Sequence, residues 1–328
     1  MLFLTDEDVQ SLLPISDAIQ VVQKAFREVG QGNVRMPPRQ LIEIPEHGGL
    51  MLSMPAYIGG EIGALGQKVV TIYTNNPTEN NLPTILGTVQ LLDTNSGSCL
   101  AVMAANALTA IRTGAASAVA TEYLATENSN SIALFGVGGQ AATQLEAICI
   151  VRDIRQIKVY APTREHVTRF CREMSQRLES KIFAAMNPNE AIENSDIIVC
   201  ATTSKTPVFD GKLLEPGTHL NGIGSHAADA RELDTISILK SKVVVDSRES
   251  ALAEAGDLII PLTKGVISVE HIWAELGEII AGKKKGRTSE DEITLFKSVG
   301  IAAQDVASAK VIYERAVREQ KGLAIGSN

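Results

Sequence analysis

Between residues 14 and 30 the apolar positions Ile15, Ala18, Ile19, Val22, Ala25, Phe26 and Val29 recur at helical spacing. The pattern predicts a helix there, with Gly30 as its C-terminal stop. From about 40 to 104 the period changes to short β-rich runs at 40–44, 50–54, 68–73, 85–93 and 99–104. Gly, Pro and Asn punctuate them, as in Asn75-Asn-Pro77 and Asn95-Ser-Gly97. These runs predict an antiparallel sheet with an α+β character. A helix of small residues follows, roughly 107–124, containing Arg112-Thr-Gly-Ala-Ala-Ser117.

Beyond it, strand-like runs at 131–135, 157–160, 196–200, 219–223 and 242–246 alternate with helical ones. Alternation at this spacing predicts βαβ units and a doubly wound parallel sheet. The last long helix, about 302–320, lies after that sheet and is placed to return to the first domain. The expected fold class is therefore α/β: a Rossmann sheet plus an N-terminal α+β domain completed by the C-terminal helix. Expected boundaries are 1–115, with about 302–328 returning, and 116–301.

Composition narrows the function. The chain has 328 residues, enough for two domains of about 150. Hydrophobic residues make up 45% and charged residues 21%, values of a folded globular chain rather than a disordered one. A net charge of −8 argues against nucleic acid, whose phosphates require a basic face. With 4% aromatics, a stacking platform for single strands is also disfavoured. No apolar run has the length of a membrane span, and no signal-peptide pattern opens the sequence. Four scattered cysteines without a CxxC pair point to a reduced, cytoplasmic chain. Five scattered histidines without HExxH give no reason to expect a metal.

The sharpest local motif is Gly136-Val-Gly138-Gly139-Gln140-Ala141, directly after the run at 131–135 and opening a helix. Glycines at such a turn let the backbone approach a pyrophosphate, which then sits on the helix N-terminus. The end of the next strand normally selects the dinucleotide, and an acid there would bind the ribose of NAD. This chain reads Val159-Tyr-Ala161-Pro-Thr163-Arg164, with no acid before Glu165. Ala161 leaves room for a 2′-phosphate and Thr163 and Arg164 are placed to bind it. NADP(H) is the expected preference, with NAD(H) also admissible.

The N-terminal domain carries a basic set, Arg35, Arg39, Lys68 and Arg112. Lys68 stands in a run of otherwise buried character, so its ammonium must be paired or functional. Arg39 follows the stiff Met36-Pro-Pro38, and an arginine fork suits a carboxylate. Taken singly, each is more often a structural ion pair than a functional cation. The basic run Gly282-Lys-Lys-Lys-Gly-Arg-Thr288 lacks the order of a phosphate loop and is expected to be a solvated loop capping a short helix at 289–292.

Several of these segments form an ordered set. They are Arg35-Met-Pro-Pro-Arg39, Lys68-Val-Val, Leu82-Pro-Thr84, Ala110-Ile-Arg-Thr-Gly-Ala-Ala-Ser117 and Gly136-Val-Gly-Gly-Gln-Ala141. Further on come Cys200-Ala-Thr-Thr-Ser204, Leu220-Asn-Gly-Ile-Gly-Ser-His226, Arg231-Glu-Leu-Asp234 and Gly286-Arg-Thr288 through Ser298-Val-Gly300. Together they resemble the ornithine cyclodeaminase/μ-crystallin family along nearly the whole chain. The resemblance implies a homodimer built through the N-terminal domain, with the substrate between that domain and the Rossmann domain. By matching motif, Arg39, Lys68 and Arg112 resemble the set that grips a substrate carboxylate, with Val299 lining the pocket. Thr84, Arg112, Thr113, Gly136, Gly138, Gly139, Gln140, Thr202, Thr203, Asn221, Gly222, Ile223, Gly224 and Ser298 resemble the cofactor contacts.

One position departs from the cyclodeaminases. Where they carry an Asp two residues after the glycine corresponding to Gly224, this chain has His226. A histidine can exchange a proton near neutral pH but provides no fixed anion for a diamine. Asp229 follows three residues later and is the alternative acid. The expected activity is NAD(P)H-dependent reduction of a small cyclic α-imino acid, Δ1-pyrroline-2-carboxylate or Δ1-piperideine-2-carboxylate. Lys68 and His226 are the candidates for proton transfer. The alternatives are an alanine-type amino-acid dehydrogenase, an ornithine cyclodeaminase, or a μ-crystallin-like binding protein without turnover.

Overall fold

A computed structural model of the chain describes residues 1–326; residues 327 and 328, the end of the segment expected to return, lie outside it. The chain divides into two units, one formed by Met1–Arg112 with the described residues from Ile301 on, the other by Thr113–Gly300. Among the described residues no helix is long and apolar enough to cross a membrane.

The first unit begins with β1 (Leu2–Leu4), α1 (Asp6–Leu12), α2 (Ile15–Gln31), β2 (Val34–Arg35) and β3 (Gln40–Ile44). It continues through β4 (Gly49–Ile58), β5 (Ala64–Tyr73), α3 (Asn76–Glu79), β6 (Ile85–Leu92), β7 (Cys99–Ala104) and α4 (Asn106–Leu124), whose second half belongs to the other unit. Helix α2 buries Ala18, Ile19, Val22, Ala25 and Phe26, the predicted stripe. Its stop is Gly32 rather than Gly30. Gly32 adopts φ +83°, which ends the helix by turning its N–H back onto Glu28 and Val29, whereas Gly30 is buried inside it.

The sheet of this unit runs β1, β7, β6, β5, β4, β2, with β3 on β4. Pairing from β2 to β7 is antiparallel as expected, but β1 lies parallel to β7, so the sheet is mixed. The register sets Lys68 between Met54 and Val89, an ammonium in a row of buried apolar side chains.

The second unit contains β8 (Ser131–Phe135), α5 (Ala141–Val151), β9 (Gln156–Tyr160), α6 (Arg164–Met174), β10 (Lys181–Ala184) and α7 (Pro188–Ile192). After them come β11 (Ile197–Cys200), β12 (His219–Gly222), α8 (Thr235–Lys240), β13 (Ser241–Val245), α9 (Arg248–Glu254) and α10 (Gly256–Thr263). Strand β14 (Ile272–Glu275), α11 (Leu276–Ile280) and β15 (Ile293–Lys297) complete it. The strand order is β10-β9-β8-β11-β12-β15-β13-β14, and every pair is parallel. The order reverses between β8 and β11, the switch point at which such sheets bind ligands. Strands β8 and β11 are buried along their whole length, as a sheet covered on both faces requires.

The expected short helix at 289–292 is absent; those residues turn directly into β15. The guanidinium of Arg287 explains this, because it collects the carbonyls of Leu124, Gly217, Ser289, Glu290 and Glu292 and so takes the acceptors a helix would use.

The chain then returns to the first unit through α12 (Ala302–Glu319) and ends with β16 (Leu323–Ala324) beside β1. Helix α12 lies over β4, β5 and β6, with α2 alongside. Small residues on its buried face, Ala302, Ala303, Ala307 and Ala309, permit a close approach to the sheet.

Candidate active site

In the first unit, Lys68 from β5 and Arg112 from α4 meet on one carboxylate, Asp305 of α12. Lys68 Nζ stands 3.0 Å from Asp305 Oδ1 and 2.9 Å from Oδ2, and Arg112 Nε donates to Oδ1 at 3.0 Å. A second flank of the guanidinium is held by Gln304, whose Oε1 accepts from Nη1 at 2.6 Å. Gln304 Nε2 is buried and has no acceptor among the described residues. Lys68 is 2% exposed, Arg112 5% and Asp305 0%. Burial first, and the charge of Arg112 second, lower the Lys68 pKa from 10.5 to about 8, against the support of Asp305. Half-buried Arg39 adds a third positive charge that acts on Lys68. Two cations thus share one buried carboxylate, Asp305, with the charge of Arg39 also acting on Lys68. Arg35, on the short β2, is exposed. Thr84 precedes β6, and its carbonyl accepts from Tyr73 N–H at 2.8 Å to close the β5–β6 connection.

The second unit carries the glycine-rich turn at the C-terminal end of β8. Gly136 adopts φ +95°, and a Cβ there would lie 2.4 Å from the Ala201 carbonyl, so only glycine fits beside β11. At Gly138 and Gly139 a Cβ would meet nothing within 4 Å, which leaves open space in front of α5. The first turn of α5 has no side-chain cap; Ala141 N–H donates to the Gly138 carbonyl at 3.0 Å, which leaves Ala142 and Thr143 as the N–H groups offered to an anion. Gln140 precedes that helix with its Oε1 buried and unpartnered. These features fit a dinucleotide pyrophosphate.

A buried ionic ring fixes the neighbouring strand ends. Glu232 accepts from Thr202 N–H at 2.6 Å, Gly224 N–H at 2.6 Å and Ser225 N–H at 3.2 Å, joining the loops after β11 and β12. Asp257 accepts from the N–H groups of Glu232 and Leu233, both at 2.8 Å. Lys297, at the end of β15, pairs with Asp257 at 2.9 Å and donates to the Ser225 carbonyl at 2.6 Å. Burial pushes the Glu232 carboxyl above its ordinary range. Gly224 is held so closely that a Cβ would lie 2.1 Å from the Thr202 carbonyl.

The other expected residues are placed as follows. Thr202 and Thr203 lie in the loop after β11, and Gly222, Ile223 and Gly224 close β12. Asn221 turns inward and donates to Thr121 Oγ1 at 3.1 Å. Thr113 is buried in α4. Ser298 donates to Asp246 Oδ2 at 2.8 Å, and the same oxygen accepts from Val299 N–H at 2.9 Å. His226 is exposed, with Nδ1 2.9 Å from the Gly224 carbonyl, and Asp229 is exposed in the same loop. Thr163 is the N-cap of α6 and Arg164 its first residue, just beyond β9; Arg164 Nη1 donates to the carbonyls of Ala184 and Ala185 at 3.2 and 2.9 Å.

Sequence reasoning did not single out Asp305, Gln304, Glu232, Asp257, Lys297 or Asp246. Asp305 stands three residues after Ala302 and four before Ala309 on one helical face, a spacing that by itself does not tell a buried acid from a solvated one.

This fold and these residues define an oxidoreductase of the Rossmann class with an additional α+β unit. The chain belongs to the ornithine cyclodeaminase/mu-crystallin family, whose model matches residues 1–320. The Δ1-pyrroline-2-carboxylate reductase of Bacillus cereus is 38% identical over 323 residues, 98% of each chain. The structure of Thermococcus litoralis Δ1-pyrroline-2-carboxylate reductase in complex with NADH and L-proline is similar at TM-score 0.95 and 44% identity, covering 99% of this chain and 100% of that one. An archaeal alanine dehydrogenase dimer with bound NAD is similar at TM-score 0.93 and 39% identity, covering 99% of each.

Proposed function

We propose that this chain is an NAD(P)H-dependent reductase of small cyclic α-imino acids, Δ1-pyrroline-2-carboxylate or Δ1-piperideine-2-carboxylate, giving L-proline or L-pipecolate. The carrying observation is the buried pair Lys68 and Arg112 on a single carboxylate, which suits the carboxylate of an amino or imino acid. The reductase relatives described above support the same substrate class.

Lys68, Arg112 and Arg39 hold the substrate carboxylate. Gly136, Gly138, Gly139, Gln140 and the first turn of α5 hold the cofactor pyrophosphate. A bound reduced nicotinamide supplies the hydride that the imine carbon gains. Lys68, ionising near neutrality, is suited to pass a proton toward the imine nitrogen, and His226 is the second candidate. Fixing the carboxylate removes orientational freedom from the reacting carbon, a gain of several orders of magnitude in effective concentration. His226 in place of a carboxylate disfavours the cyclodeaminase reaction. Alanine-type dehydrogenase activity is the second reading, favoured by the likeness to the archaeal enzyme, because the same grip takes any 2-imino acid.

NADP(H) is the proposed preference, since Ala161 leaves space where an acid would repel a 2′-phosphate. The bonds of Arg164 to Ala184 and Ala185 show that it would have to share its donors. Arg164→Asp should raise KM for NADPH relative to NADH; an unchanged ratio removes Arg164 from that role. A cytoplasmic homodimer is the proposed setting. The activity is tested by NAD(P)H oxidation at 340 nm with pyrroline-2-carboxylate, with pyruvate plus ammonia, and with ornithine and catalytic NAD. Steady oxidation with the cyclic imine is expected. Oxidation only with pyruvate and ammonia would favour the dehydrogenase, ammonia from ornithine the cyclodeaminase, and no turnover the binding protein.

A further inference from the structure

Asp305 touches two of the residues in the proposed carboxylate grip and comes from a third element. Lys68 reaches it from β5, Arg112 from α4, and its own helix α12 supplies Gln304 to the other flank of the guanidinium. With 0% exposure, it has no solvent to share its charge with. Strands β4 and β6, on either side of Lys68, contain no carboxylate, lysine, arginine or histidine. The charged groups that act on Lys68 are Arg112 and Arg39, which oppose its ammonium, and Asp305, which supports it.

We propose that Asp305 is a positioning residue for the reductase reaction: its carboxylate keeps Lys68 charged and aims Lys68 and Arg112 together, so that the pair is assembled before the substrate carboxylate arrives. The inference rests on the function proposed above for this cluster. Without Asp305, Lys68 would face two like charges from within an apolar row. Its proton would then be lost at lower pH, and with it the grip on an anion. Preassembly also spares the substrate the cost of ordering two long side chains.

Asp305→Asn tests this, because the amide retains an acceptor for both partners and removes the charge. Loss of an opposite charge at this distance moves a pKa by about 1–3 units. The Lys68 ionisation, followed by NMR of Cε-labelled lysine and assigned with Lys68→Met, should therefore fall by at least about one pH unit. The alkaline limb of kcat/KM should move with it. Activity would drop about fivefold or more at pH 8 and progressively less as the pH is lowered, while the Kd for the dinucleotide stays within about twofold.

A uniform loss across pH, with the Lys68 ionisation unmoved, would overturn the proposal and leave Asp305 a structural ion-pair partner. Asp305→Ser, smaller and uncharged, asks the same question if the asparagine variant does not fold. Failure of both to fold would also overturn it. The NMR measurement needs no turnover. Wild-type protein that reduces no imine would defeat the proposed reaction while the Lys68 shift still judged Asp305.

Discussion

Lys68 ionises near 8 rather than 10.5 because burial and the charge of Arg112 outweigh the help of Asp305. The folded state therefore releases this proton before the unfolded chain does. Between pH 8 and 10.5 the unfolded chain binds more protons, and stability rises with pH across that window. Below pH 8 the ammonium costs about 3 kcal/mol, at about 1.4 kcal/mol per pH unit. The denaturant midpoint of wild type should therefore rise between pH 8 and pH 10 relative to that of Lys68→Met. A difference between the two that does not change with pH would show that Lys68 keeps its ordinary ionisation in the fold. Binding has the opposite sign, since the anion needs the ammonium. The Kd for L-proline should be flat below pH 8 and rise by up to about tenfold per pH unit above it. A Kd flat to pH 10 would remove the charge of Lys68 from recognition. Lys68 was legible in the sequence as a cation in an apolar run. Its partner was not, because one acid in a long helix reads as an ordinary solvated residue until the packing of α12 is known.

Glu232 shows what lies between residue and element. Its carboxylate accepts three backbone N–H groups from the loops after β11 and β12. An amide can keep its one oxygen on the Gly224 and Ser225 N–H groups, but its NH2 then opposes the Thr202 N–H. Each buried donor left unsatisfied costs about 1–3 kcal/mol. Glu232→Gln should therefore lower Tm by roughly 5 °C or more and weaken dinucleotide binding. An unchanged Tm would show that the loops hold themselves. Most strands were legible from run boundaries, because β8, β11 and β12 are continuous buried runs. The missed ones lacked that signal. Strand β10 alternates exposed and half-buried residues at a sheet edge, β14 is a four-residue strand at the other edge, β15 follows a heavily charged stretch, β2 and β16 are two residues long, and β1 is a strand by pairing with residues as distant as Ala101 and Ala324.

At the scale of the molecule, the first unit exposes apolar side chains that a lone chain would be expected to cover. Leu41 and Ile42 on β3 are each 54% exposed, and Leu82 and Ile85 are 47% and 46% exposed. The proposed homodimer should sediment at twice the 35.0 kDa of one chain, and Leu41→Asp with Ile42→Asp should shift it toward the monomer. A wild-type monomer at micromolar concentration would contradict that assembly. The order of the ten predicted strands and the αβ alternation made the fold class legible, and the ordered motifs made the family legible. The buried ionic ring was not legible, because Glu232, Asp257 and Lys297 are 25 and 40 residues apart and meet only through the sheet. In the proposed reaction the chain holds an imino acid by its carboxylate while the C=N carbon is reduced. The most direct measurement is mass spectrometry of the product formed from pyrroline-2-carboxylate and cofactor deuterated at the transferable C4 position. The expected product is L-proline carrying one deuterium at Cα, with one cofactor oxidised per proline, and Lys68→Met should form it at least about tenfold more slowly. Unlabelled proline, or cofactor left unconsumed by the wild-type enzyme, would contradict it.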